Sequence, residues 1–401
     1  MTIPVLIATI LRAEGETGVQ THVQALARWL QRSGSSARIV TPFDAPKALV
    51  YPLFGLRRAI HPLSTALSVW WYRHWHKVML QRALADRLQG WHPCVVYAQC
   101  PLAAEAALKA RLNPSQQVVM VVHFNISQAD EWAGKGFISN SGRLYRDIAR
   151  FEGRVLPALD GLVFVSDFMR REVVRRVPAI LSVPFRIIPN FLADPGAPQM
   201  EGREQRRHLI NIGTLEPRKN QAYALHVIAA TKTLGTPLNL TLVGDGPDRA
   251  RLRALAEELR IEDQVEFAGY VPQAAALMQE HQAVLHVAQI ENCPYVVIES
   301  MSRGLPVFAP ATGGVPETFD DGVQGRFIPL DNPTAAARAL IEWMTAPERL
   351  AAAAVAARAR FLEVYVEHKS ADRLAAFLVE RPAVAQTQAG SGVLADGGPQ
   401  A

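Results

Sequence analysis

Leu240-Thr241-Leu242-Val243-Gly244-Asp245-Gly246-Pro247 is the stretch on which the fold of this chain turns. Its first four residues are apolar or β-branched and read as a buried strand. The glycines that follow permit a tight turn and close approach by another backbone. Asp248 stands at the start of a helical pattern, as an N-cap or as an acid favouring the helix start. A strand that runs through a Gly turn into a helix is half of a βαβ unit. Alone, the stretch is equally a plain connecting turn, and its weight comes from repetition along the chain.

Around it, short apolar runs at His208–Ile212, Leu238–Val243, Gln264–Phe267, Ala283–Val287, Pro306–Ala309 and Gly325–Ile328 read as strands separated by helices. An earlier series has Val5–Ile10, Arg38–Thr41, Val95–Tyr97, Val118–Val122 and Leu162–Val165. Helices such as Leu102–Leu112 and Asp167–Val177 lie between them, and Phe185–Pro189 ends the series. Phe191–Arg207, rich in Pro, Gly and charge and without a period, includes the linker. Alternating strands and helices define parallel sheets covered by helices. The expected class is α/β, with two doubly wound Rossmann-like domains facing a central cleft. In such sheets ligands bind beyond the carboxyl ends of the strands. Residues Ala335–Val379 are expected to be mostly helical, and Arg381–Ala401, with little bulky apolar content, disordered.

Bulk properties agree with this reading. The 401 residues suit two domains or three, and 49% hydrophobic with 20% charged residues is the balance of a chain with a large core. The net charge of +5 is either ordinary surface charge or an attraction to anionic partners, which only position can decide. Basic residues are scattered rather than striped, so no nucleic-acid partner is expected. Three cysteines, Cys94, Cys100 and Cys293, argue against a disulfide framework and fit a reducing compartment. No Cys/His cluster has zinc-site spacing, and no metal is expected. The first residues read as a buried strand rather than a signal peptide, and no run reaches the ~18 apolar residues that span a bilayer. The expected location is cytoplasmic, touching a membrane from that side at most.

Chemistry is expected at strand ends. Ile212-Gly213-Thr214-Leu215-Glu216-Pro217-Arg218-Lys219-Asn220 places two cations at a helix start, where they oppose the helix dipole. A bound phosphate would relieve that conflict; a solvated basic turn is the plainer alternative. Gln289-Ile290-Glu291-Asn292-Cys293-Pro294-Tyr295-Val296-Val297-Ile298-Glu299 joins a strand to an apolar helix through a polar loop. Pro294 suits a first helical turn. Glu299, inside the apolar helix, should be bound to hydroxyls or paired with Arg303 at i+4. Thr312-Gly313-Gly314 allows backbone approach to a ligand or is a simple turn, and Gly15-Glu16-Thr17-Gly18 is equally a Gly-rich helix start facing the cleft or a simple connecting turn. His123, at the end of an apolar strand, reads as a site residue more readily than as a core histidine.

In this order the pieces resemble the retaining GT-B glycosyltransferases of family four, which build bacterial polysaccharides and glycolipids. The resemblance runs from Val5 to about Tyr365. It includes Ile187-Ile188-Pro189-Asn190, the Gly213–Lys219 turn, Leu242–Pro247, Val265-Glu266-Phe267-Ala268-Gly269, and the stretch from Glu291 through Ser300-Met301-Ser302-Arg303-Gly304-Leu305-Pro306-Val307. It implies an N-terminal acceptor domain over 1–190 and a nucleotide-sugar domain over 191–365. It also implies a helix over 366–380 packing back on the first domain, with 381–401 as the tail. It further implies that Glu299 binds the donor ribose and Glu291 lies by the donor sugar. Asn292, Cys293, Pro294, Tyr295 and Val296 then contact sugar hydroxyls or phosphate, and Lys219 the diphosphate. Gly18, Gly213 and Gly244 allow close approach in the donor pocket, and His123 lies near the sugar C6 region. An Arg usually follows the Gly that matches Gly213; here Thr214 does, and Arg218 is the expected second cation. No cofactor or metal is implied beyond the nucleotide diphosphate sugar. The alternatives are a sugar-nucleotide epimerase on the same fold and a non-catalytic nucleotide-sugar-binding subunit.

On the acceptor side, residues 47–92 include Trp70-Trp71-Tyr72-Arg73-His74-Trp75-His76-Lys77 with Arg57 and Arg58 upstream. Aromatics mixed with cations suit peripheral membrane contact near a glycan or lipid-linked acceptor. The alternative is a long helix that uses its aromatics in the core.

Overall fold

A computed structural model describes residues 3–15, 17–198, 202 and 206–379. The expected disorder of Arg381–Ala401 lies outside the described residues, as do Glu16 and part of the linker. The strands are β1 Val5–Ala8, β2 Ala37–Val40, β3 Cys94–Ala98, β4 Gln116–Val122, β5 Gly161–Phe164 and β6 Phe185–Ile187. They continue as β7 Arg207–Ile212, β8 Leu240–Val243, β9 Val265–Gly269, β10 His281–Leu285, β11 Val307–Ala309 and β12 Gly325–Phe327. The helices are α1 Gly18–Arg32, α2 Lys47–Ile60, α3 Thr65–Leu88, α4 Pro101–Ala110, α5 Gln128–Gly134, α6 Arg143–Val155 and α7 Asp167–Arg176. After the linker come α8 Gln221–Thr233, α9 Arg249–Glu258, α10 Tyr295–Ser302, α11 Pro333–Met344, α12 Pro347–Arg360 and α13 Glu367–Val379.

Two six-stranded sheets form, ordered β2-β1-β3-β4-β5-β6 and β12-β11-β10-β7-β8-β9, and every named pair is parallel. The α/β class with two doubly wound sheets is therefore as expected. In the second sheet the chain grows outward from β7 to β9, then returns to the other side of β7 to lay down β10, β11 and β12. The order reverses between β7 and β10, which is where such sheets open a binding crevice.

Alternation of side chains across the strands divides the core. Leu6, Ala8, Val96 and Ala98 join one cluster with α3 and α4. Val5, Ile7, Val95 and Tyr97 face the other way, in a cluster that also holds Cys293, Val297, Ile298 and Met301 of the second half. Buried apolar surface thus runs continuously from the first sheet into α10. Helix α13 seats Phe377 against Gly161 of β5, and Glu367 N–H donates to the Leu192 carbonyl at 2.7 Å. Glu367 also pairs with Arg32 of α1.

Asp248 precedes α9 as expected, but its side chain makes no capping hydrogen bond. Its carboxylate lies 3.8 Å from Arg251 instead. The aromatic segment of α3 divides between the two readings. Trp71 donates to the Leu53 carbonyl at 2.7 Å, Arg73 to Gln128 Oε1 at 2.7 Å, and His76 stacks on Phe54 at 3.9 Å. Those side chains serve the core, whereas Trp70 stays exposed.

Candidate active site

A cleft of about 870 Å³ lies between the carboxyl ends of the two sheets. The residues expected to be catalytic or donor-binding line it: Gly18, His123, Gly213, Arg218, Lys219, Gly244, Glu291, Asn292, Cys293, Pro294, Tyr295, Val296 and Glu299. Their closeness follows from strand order, because Lys219 comes from the loop after β7 and Glu291 from the loop after β10.

Residues Pro217–Lys219 form a short 3-10 turn, and Asn220 adopts φ +59° before α8 begins at Gln221. The turn aims both cations inward. Lys219 Nζ donates to Glu291 Oε1 at 2.6 Å, and Arg218 Nη1 donates to the same oxygen at 3.2 Å. Arg218 also holds Glu216 at 3.0 Å. Burial pushes the Glu291 carboxyl up, but Lys219, Arg218 and His286 outweigh it and hold the group at about 2. His286, buried behind the pair at the end of β10, is pushed down to about 4 by burial and stays neutral.

The loop from Gln289 to Cys293 is fastened by both domains. Gln289 N–H donates to the Arg218 carbonyl at 3.2 Å, Gly314 N–H to the Glu291 carbonyl at 2.8 Å, and Asn190 Nδ2 to the Cys293 carbonyl at 2.8 Å. Asn292 Nδ2 donates to the Val122 carbonyl at 3.3 Å, and its side-chain oxygen accepts from Ser166. Asn292 thus bridges the domains through its side chain. Gly313 and Gly314 do not line the cleft. A Cβ at Gly313, where φ is +62°, would stand 2.2 Å from the Glu291 carbonyl oxygen, and one at Gly314 1.9 Å from that of Asn292. The close approach read from these glycines is to the protein's own backbone, not to a ligand. A Cβ at Gly244 would likewise meet the Gly213 carbonyl oxygen at 2.0 Å.

Pro294 is the N-cap of α10, and lacking an N–H it donates nothing. The amides of Tyr295 and Val296, which open the helix, have no intrahelical acceptors. A helix start beside Lys219 and Arg218 can accept an anion. Burial pushes the Cys293 thiol up to about 12, so it stays protonated. The Tyr295 ring crosses the domain boundary: a Cβ at Gly18 would be 2.9 Å from it. Glu299 is shifted upward by burial, partly offset by Arg303. Such a carboxyl gains from hydroxyl partners.

On the first domain's wall, His123 Nε2 lies 3.2 Å from Gln99 Oε1, and burial lowers the imidazole to about 4. Its ring meets His22 edge-on at 4.7 Å. Asn125, Glu131 and Lys135 also line the cleft and were missed in the sequence. Glu131 is raised by burial, with Lys135, the Asn125 amide and Arg218 opposing. Asn125 N–H donates to Glu131 Oε1 at 3.2 Å. The Ser127 cap that starts α5 was a legible signal for the helix, but nothing local shows that Glu131 faces Arg218.

Two facing Rossmann-like sheets, with Arg218, Lys219 and the start of α10 gathered in a cleft at a switch point, define a nucleotide-binding enzyme architecture. Comparison with known proteins extends this. The glycosyl transferase 4-like domain matches residues 17–190, and the glycosyl transferases group 1 family matches residues 198–360. A GDP-mannose-dependent alpha-(1-6)-phosphatidylinositol monomannoside mannosyltransferase of Mycolicibacterium smegmatis is 27% identical over 242 residues, covering 55% of this chain and 63% of that protein. The match spans about a third of the length of the first curated relatives. Sucrose-phosphate synthase from Thermosynechococcus elongatus shares the fold at TM-score 0.72 and 17% identity, over 94% of this chain and 98% of that one. HepE from Anabaena, solved with UDP and glucose, shares it at TM-score 0.66 and 15% identity, over 95% and 100% of the two chains. The chain belongs to the GT-B glycosyltransferases of family four.

Proposed function

We propose that this chain transfers a hexose-type sugar, with retention, from a UDP- or GDP-linked donor to a hydroxyl of a glycan or lipid-linked glycan, in polysaccharide or glycolipid assembly on the cytoplasmic side of a membrane. One observation carries it: Lys219 and Arg218 converge on Glu291 at the β7/β10 switch point, beside the open first turn of α10. The donor diphosphate fits between that turn and the start of α1 at Gly18. Lys219, Arg218 and the α10 amides offset its charge as the sugar–phosphate bond breaks, so the reading calls for no metal or cofactor. Glu299 accepts from the ribose hydroxyls, and Glu291 stands by the sugar. Attack comes from the face the phosphate leaves, and the leaving phosphate oxygen takes the acceptor proton. Both donor bases are supported by relatives, one named for GDP-mannose and one solved with UDP.

Thermal-shift titration with UDP, GDP and their sugars tests the donor, since ligand at about 100 times its Kd stabilises by about 2.7 kcal/mol. Nucleotide release that needs an acceptor supports transfer. Acceptor-independent isomerisation of the sugar would mean an epimerase, and binding without transfer across an acceptor panel would mean a binding subunit.

A further inference from the structure

Six of the thirteen exposed large apolar side chains among the described residues, Leu49, Tyr51, Leu56, Leu63, Leu67 and Trp70, fall within one stretch of the chain. Within α2, the turn after it and the start of α3, Leu63 is 86% exposed, Tyr51 61%, Leu67 48% and Trp70 46%. Leu67, Trp70 and His74 share one face of α3, with the Trp70 and His74 rings stacked at 5.1 Å. Residues 45–85 hold six cations, Lys47, Arg57, Arg58, Arg73, Lys77 and Arg82, and no acid.

Helix α6 stands beside this surface. Trp70, His74 and Lys77 of α3 face Leu144, Asp147 and Arg154 of α6 across a groove of about 170 Å³. Helix α6 buries Ile148, Phe151 and Val155, while Arg143, Arg146, Arg150 and Arg154, three and four apart, lie exposed with Asp147 as the exposed acid among them. An apolar centre beside a row of guanidinium groups has the chemistry of a bilayer interface: acyl boundary for one, headgroup phosphate for the other. A second copy of the chain is a poor occupant, because a self-complementary contact would set cations against cations. The surface also leads to the cleft. Glu131 and Lys135 of α5 and its end line the cleft, Trp132 between them meets Tyr72 and Phe137, and Phe137 meets His61 at 5.5 Å.

We propose that the α2–α3 turn and the arginine face of α6 together dock on an anionic phospholipid bilayer, with Leu63, Leu67 and Trp70 entering the acyl boundary. Docking is independent of the transfer reaction and is measured without donor or acceptor. The full chain is sedimented with vesicles of phosphatidylcholine alone and of phosphatidylcholine with phosphatidylglycerol. Binding is expected only with the anionic lipid, weakening as salt rises. Leu63→Glu with Leu67→Glu, and separately Arg146→Glu with Arg150→Glu, should each lower affinity by about tenfold or more. Val355→Glu, an exposed apolar site on α12, should bind as the parent does. All variants should keep the parent's melting temperature, since the changed side chains are exposed. Absence of binding to anionic vesicles overturns the proposal, as does binding that these two variants leave unchanged. A parent dimer that the Leu63/Leu67 variant dissociates also overturns it, by giving the surface to a second copy.

Discussion

Lys219 Nζ rests 2.6 Å from Glu291 Oε1, although the two are 72 positions apart in the sequence. Arg218 reaches the same oxygen, so one buried carboxylate gathers both cations of the β7 turn. Truncating Lys219 removes positive charge where the leaving diphosphate needs it, and truncating Glu291 removes the carboxylate that holds both cations in place beside the sugar. Glu291→Ala and Lys219→Ala should each lower the transfer rate by about tenfold or more, read as nucleotide released per enzyme. Parent-like turnover in both purified variants would remove them from the reaction.

The same cluster fixes a pH dependence. Burial raises Glu291, but Lys219, Arg218 and His286 bring it to about 2, below the ordinary 4.5. A depressed carboxyl stabilises the fold above its unfolded value, and that contribution disappears as pH falls from about 4.5 toward 2. Urea midpoints measured down this range should fall less steeply for Glu291→Gln than for the parent. Equal slopes would contradict the pairing.

His123 is expected to stay neutral during turnover, because burial holds it at about 4 rather than 6.5. The rate should show no limb centred on 6.5 that His123→Gln abolishes. A limb of that kind would place a charged imidazole in the cleft.

Glu317 joins the two domains at α7. Its carboxylate accepts from the Asp167 and Phe168 amides, each at 2.6 Å, at the helix start beside the Ser166–Asn292 contact. Glu317→Ala should cost about 1–2 kcal/mol of stability by leaving those amides without their partner. It should also weaken donor binding by loosening the Glu291–Cys293 loop. Denaturant unfolding and donor titration check the two effects separately.

Backbone crowding sets the outcome at Gly244, whose φ is +138° and whose Cβ would stand 2.0 Å from the Gly213 carbonyl oxygen. Gly244→Ala should destabilise by about 2 kcal/mol or more. Gly90→Ala, with nothing within 4 Å, should stay within about 0.5 kcal/mol of the parent. The comparison is read from urea midpoints.

Much of the fold was legible along the chain. Every strand read from an apolar run reappears within a few residues, because the period of burial and the chemistry of turns are written in neighbouring positions. The Gly-Asp-Gly-Pro turn was legible for the same reason. Less was legible at the glycines of 313–314. Their need for a bare Cα was visible, but whether ligand or protein backbone fills the space depends on a loop far away in sequence. The Trp70–Lys77 segment shows a similar limit. Composition announced aromatics and cations, and only the packing against Leu53, Phe54 and Gln128 separated core side chains from exposed Trp70.

The sequence by itself determined which segments are strands, where the polar turns fall, and the kinds of side chain at the strand ends. Tertiary structure decided which of those ends meet. The reversal of strand order between β7 and β10 put Lys219 and Arg218 on Glu291, and the domain contact put Glu131 across from them. The physical reason is that hydrophobic periodicity acts between neighbours in the chain, whereas Coulomb attraction and burial depend on distance in space. A strand pattern survives being read one window at a time; a carboxyl held at about 2 by cations 72 and 73 positions away does not.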